Sequence, residues 1–126
     1  MKSAIIVARA VLGSSGVLLL LLGIAFWTGH ALTLIPLHMA LGAVLVLSMW
    51  MLAALGFYTR TATPLAVVVL VWSLIVPWLG MMQTQLLPGG AHWVIRALHL
   101  LVGIAAMGLG GVLAKRLMAR QARDVA

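Results

Sequence analysis

Four histidines carry the chemistry in this chain: His30, His38, His92 and His99. Imidazole ligates metals and exchanges protons near neutral pH. Inside a membrane span an ionisable group is expensive, so it is a functional candidate by default. His38 and His99 lie in apolar stretches, and each has a glycine four residues later, Gly42 and Gly103. Positions i and i+4 share a helix face. A glycine there removes bulk beside the imidazole, so a flat macrocycle has room against the backbone. A haem iron takes one neutral imidazole nitrogen from each side. His30 and His92 fall in a connection and at a helix start, and are expected to be solvated. Other chemistries are excluded by composition. There is no cysteine, so thiolate sites and disulfides are absent. Asp124 is the sole acidic residue and sits in the C-terminal tail, which rules out a carboxylate relay or a carboxylate pair. Histidine, methionine and water remain as donors for a copper or zinc ion, the alternative metal reading. The methionines, such as Met49, Met51, Met81 and Met82, show no ligand-like spacing and read as apolar filler.

The elements that must position the histidines follow from hydropathy. Of 126 residues, 65% are hydrophobic and 7% charged, more apolar surface than a soluble domain of this length can cover. A spanning helix needs about 20 mostly apolar residues. Four such runs are expected, at 10–29, 36–58, 64–82 and 93–114, and they leave no room for a soluble domain. The first follows Lys2 and Arg9 as a secretory signal would, but Gly29-His30-Ala31 is a poor cleavage site, so a retained helix is expected. Pro36 and Pro64 suit first helical turns, and Pro77 is expected to kink the third span. The fold class is therefore an all-α integral membrane protein, an antiparallel four-helix bundle forming one domain.

Charge orients it. Lys2, Arg9, Arg60, Lys115, Arg116, Arg120 and Arg123 fall on one side of the four-span arrangement and Arg96 alone lies near the other. By the positive-inside rule both termini are cytoplasmic, in a bacterial-type inner membrane. Trp27, Trp78 and Trp93 then form an outer aromatic belt. The net charge of +7 is membrane-flanking rather than a nucleic-acid footprint, and the tail from Lys115 to Arg123 suits anionic headgroups. Glycines such as Gly13, Gly16, Gly103, Gly108, Gly110 and Gly111 suit close helix packing. Trp50 and Trp72 lie within spans, as packing residues or the edge of a cofactor site.

The halves repeat. Ile24-Ala-Phe-Trp27-Thr-Gly29 matches Ile75-Val-Pro-Trp78-Leu-Gly80, and Leu37-His38-Met-Ala-Leu-Gly42 matches Leu98-His99-Leu-Leu-Val-Gly103. Tryptophan precedes histidine by 11 residues in the first half and 21 in the second, the difference forming a longer outer loop. Two tandem hairpins about a pseudo-twofold axis along the membrane normal are expected. His38 and His99 are the equivalent pair, on diagonal helices.

With His38 and His99 at matched positions of a four-helix tandem repeat, beside Gly42 and Gly103, the chain resembles membrane b-type cytochromes, and in particular one four-helix half of haem A synthase. The resemblance implies one haem b ligated by His38 and His99 near the outer face. It also implies Arg96, one turn before His99, as a partner for a propionate. Unlike many such cytochromes, the chain has no histidine toward the inner face for a second haem. A shorter resemblance, Gly56-Phe-Tyr-Thr-Arg60 before an apolar helix together with Arg9, is to DoxX-type four-span proteins. The expected function is a small electron carrier rather than a stand-alone enzyme, with a quinol, a periplasmic redox protein or a larger complex as partner. The alternatives are a non-catalytic accessory subunit, in a homo-oligomer or larger membrane complex, and a small-molecule or metal-ion carrier, which the missing carboxylates weaken.

Overall fold

With so few breakers inside its apolar runs, the chain can satisfy its backbone locally by folding them as helices. The computed structural model describes residues 1–124 and is helical nearly throughout. Helix α1 is Lys2–Trp27, a short 3-10 turn covers Leu32–Leu34, α2 is Ile35–Tyr58, α3 is Thr63–Met82 and α4 is His92–Arg123. All four are long and apolar enough to cross a membrane. Each packs on its chain neighbours, α1 also packs on α4, and α2 meets α4 across the bundle, whereas the backbones of α1 and α3 do not come close among the described residues. The four-helix bundle therefore has α2 and α4 on its short diagonal.

Local chemistry explains the ends. After α1, Gly29 adopts φ 79°. Its N–H reaches the Phe26 carbonyl and that of His30 reaches the Ala25 carbonyl, closing the helix in a Schellman turn. After α2 the same pattern recurs, with Arg60 N–H on Phe57 and Thr61 N–H on Gly56. There Arg60 itself takes the left-handed conformation, φ 50°. Pro36 and Pro64 occupy first turns, as the sequence suggests. Pro77 lies inside α3, which continues through it to Met82.

The first and last helices outrun their apolar windows toward the chain termini. α1 begins at Lys2, not near residue 10, and α4 continues to Arg123, past residue 114. Packing is the reason. Ile5 and Ala8 at the start of α1 and Leu113, Ala114 and Leu117 late in α4 join one buried cluster with Met49, Leu52, Ala53, Ala66 and Val69. At 1.5 Å per residue α4 is about 48 Å long, well beyond a hydrocarbon core of about 30 Å. Its last turns carry Arg120, which bonds Asp124 at 3.2 Å. A second, smaller cluster of Leu79, Ile95 and Val102 lies toward the histidines. Large side chains such as Leu21, Leu47, Val71 and Leu101 point outward and are more than half exposed. In water such a surface is a liability; in lipid it costs nothing.

Two indoles tie the helices together. The Trp50 N–H donates to Ser73 Oγ at 2.8 Å, and the Ser73 hydroxyl donates to the Leu70 carbonyl at 2.6 Å. The Trp72 N–H donates to the Val102 carbonyl at 3.0 Å, joining α3 to α4. Both tryptophans are thus cross-helix anchors. The glycines divide. A Cβ at Gly16 meets Met107 Sδ at 2.5 Å, one at Gly110 meets Leu12 Cδ2 at 2.7 Å, and one at Gly56 meets the Ala66 Cβ at 3.0 Å. These three mark close helix contacts. A Cβ at Gly13, Gly23, Gly108 or Gly111 meets nothing within 4 Å.

Candidate histidine site between α2 and α4

His38 sits one turn into α2 and His99 two turns into α4. Because these helices share the short diagonal, the two rings come near each other. Their centroids are 6.5 Å apart and their planes are inclined by 49°. Both side chains are half-buried. The Nδ1 atom of each is buried and has no hydrogen-bond partner. A buried polar atom left without a partner is uncommon in folded proteins and needs a reason.

Two neighbours hold the rings. Phe26, at the end of α1, meets His38 edge-on with centroids 5.4 Å apart. Gly80 of α3 lies against His99, where an added Cβ falls 3.0 Å from Cε1 and 3.7 Å from Nε2. The absent side chain at Gly80 is what lets His99 fit between α3 and α4. Neither Phe26 nor Gly80 stands out as a functional residue in the sequence. The available signal is the repeat, since both belong to the matched blocks Ile24–Gly29 and Ile75–Gly80. The equivalence is loose in three dimensions: Gly29 makes the turn after α1, whereas Gly80 remains inside α3.

The other sequence candidates lie as follows. Gly42 and Gly103 are half-buried, and a Cβ on either meets nothing within 4 Å, so open space adjoins both. His30 is exposed in the α1–α2 connection. Thr28 Oγ1 donates to the Ala25 carbonyl at 2.9 Å, which leaves the His30 Nδ1–H to donate to that hydroxyl at 3.1 Å. His92 begins α4, and its Nδ1–H donates to the Leu86 carbonyl at 3.2 Å. Neither joins the central pair. Arg96 is exposed and lines a separate surface recess with Thr84, His92 and Trp93; His38 and His99 are not part of that recess.

The donor set limits the chemistry. Among the described residues, no group of three or more histidine or carboxylate side chains converges on a point. A closed tetrahedral zinc site is therefore not supplied by this chain alone. Two opposed imidazoles suit a centre that brings its other ligands with it. An ion held by two nitrogens at about 2 Å, each ring centre about 1 Å further back, sets the centres about 6 Å apart. The observed separation is close to that spacing. The chain matches no protein-family model, no curated protein and no solved structure.

Proposed function

We propose that the chain is a small membrane cytochrome that holds one haem b between His38 and His99 and carries electrons. The observation that supports this best is the neighbouring pair, 6.5 Å between centroids, on two different helices. A haem iron already has four ligands from its macrocycle, so two imidazoles complete it, and two are what α2 and α4 bring together. The open space beside Gly42 and Gly103 fits the same reading. When bound, the haem supplies a reversible one-electron couple. The chain's own residues hold the group: His38 and His99 ligate it, and Phe26 and Gly80 set how each ring is presented.

The reading includes an antiparallel bundle across a bacterial-type inner membrane, with both termini cytoplasmic and the histidine pair toward the outer face. A quinol or a periplasmic redox protein is the partner such a site suits. The test is a reduced-minus-oxidised spectrum of the purified protein made with ample haem. A six-coordinate low-spin b-type spectrum is expected, and His38→Ala and His99→Ala should each lose the haem or leave a high-spin species. His30→Ala and His92→Ala should retain the spectrum. A protein colourless under these conditions overturns the proposal.

One observation favours a second reading, an accessory subunit of a larger membrane complex or homo-oligomer. Gly13, Gly23, Gly108 and Gly111 meet nothing within the chain and leave shallow helix surfaces open to a neighbouring helix. A colourless protein that co-purifies with a stable partner supports that reading.

A further inference from the structure

At the histidine end, the α3–α4 connection folds over the start of α4. Gly89 turns there with φ 93°, and His92 fixes the loop by donating to the Leu86 carbonyl at 3.2 Å. The result is a surface recess lined by Thr84, Gly89, His92, Trp93 and Arg96, among others. Arg96 is exposed there and makes no ion pair among the described residues. Asp124, the one acidic residue of the chain, lies at the far end of α4 and is already bonded to Arg120. Among the described residues, then, no carboxylate balances Arg96. The start of α4 adds to the imbalance: it has no side-chain cap and no acidic residue in its first turn, so the positive end of the helix dipole is unneutralised. Thr84 adds a hydroxyl. Trp93, well exposed beside Arg96, is the kind of residue that settles at a headgroup interface.

We infer that this recess binds a phosphate-type oxyanion, presented by the phosphodiester headgroup of a lipid in the outer leaflet. The guanidinium fork matches two phosphate oxygens, and the indole lies along the glycerol and upper acyl region. The recess is separate from the histidine pair: its lining excludes His38 and His99. It also gives a reason for a basic residue on the side that the positive-inside rule leaves otherwise uncharged.

The experiment counts phospholipids retained per chain by native mass spectrometry. The full-length protein is purified in mild detergent and supplied with phosphatidylglycerol. Arg96→Gln and Arg96→Lys are compared with wild type, and Arg123→Gln, exposed at the opposite end, serves as the charge-matched control. Wild type and Arg123→Gln should retain one lipid more than Arg96→Gln, with about a tenfold difference in lipid affinity, the scale of one charge-assisted contact. Arg96→Lys should fall between them. A second arm offers inorganic phosphate without lipid. Phosphate binding that depends on Arg96 supports the oxyanion site and assigns it to a free anion instead of a headgroup. Equal lipid retention in all variants, with no phosphate binding, overturns the inference. So does equal loss in Arg96→Gln and Arg123→Gln, which would mean generic charge. Loss of haem from Arg96→Gln with lipid retention unchanged overturns it too, and assigns Arg96 to a haem propionate.

Discussion

At the scale of single residues, the candidate site depends on what is absent as much as on the two imidazoles. Gly80 is the sharpest case. A methyl group there falls 3.0 Å from His99 Cε1, so the ring must shift by a few tenths of an ångström to admit it. Gly80→Ala should therefore change how His99 is presented, while Gly42→Ala and Gly103→Ala, which meet nothing within 4 Å, should not disturb the ring. The measurement is the low-spin haem signal in electron paramagnetic resonance, with unliganded protein stability followed in parallel. A shifted signal in Gly80→Ala beside unchanged ones in the other two is expected. Larger side chains separate the roles further. Gly42→Leu and Gly103→Leu should lower haem content by filling the open space, and haem content equal to wild type in both would remove that space from the site.

At the scale of elements, the close contacts are not equally costly to disturb. Gly16 and Gly110 face the outer ends of Met107 and Leu12, and Met107 in particular can swing aside. Gly56 faces the Cβ of Ala66, which no rotamer change can move. Gly56→Ala should thus destabilise the α2–α3 contact by about 1–3 kcal/mol, as overpacking does. Gly16→Ala should cost less, because the flexible Met107 side chain can rotate away from the new methyl group. Unfolding in mixed micelles orders the two. The first turns of α1 give another test. Ile5 is fully buried and belongs to the main cluster, so Ile5→Ala should lower stability by about 2–5 kcal/mol. A neutral outcome would mean that residues before the apolar run are a flank and not part of the bundle.

Across the whole molecule, charge and packing set orientation and shape separately. Seven of the eight basic residues share the end that holds the termini and the Arg60 turn, so a reporter fused after the last residue should read as cytoplasmic. An extracytoplasmic signal would overturn that topology and put the histidine pair toward the inner face. The four apolar helices, their approximate centres, the proline starts and the all-helical class were legible in the residues alone, because hydropathy over a lipid-spanning length is a local property. So was the pairing of His38 with His99, through the repeat. What packing decided was not legible. Helix ends moved outward to Lys2 and Arg123 because Ile5 and Leu117 found partners far away in sequence. Trp50 and Trp72 became cross-helix hydrogen-bond donors, and of the apparent packing set only Gly16 and Gly110 turned toward a neighbouring helix, as did Gly56 and Gly80 outside it. The distance between the imidazoles, the contact of Gly80 with His99 and the separation of Arg96 into its own recess depend on which helix faces are brought together. In an almost uniformly apolar chain the hydrophobic pattern distinguishes core from lipid poorly, so those faces are chosen by side-chain fit, which exists only once all four helices are assembled.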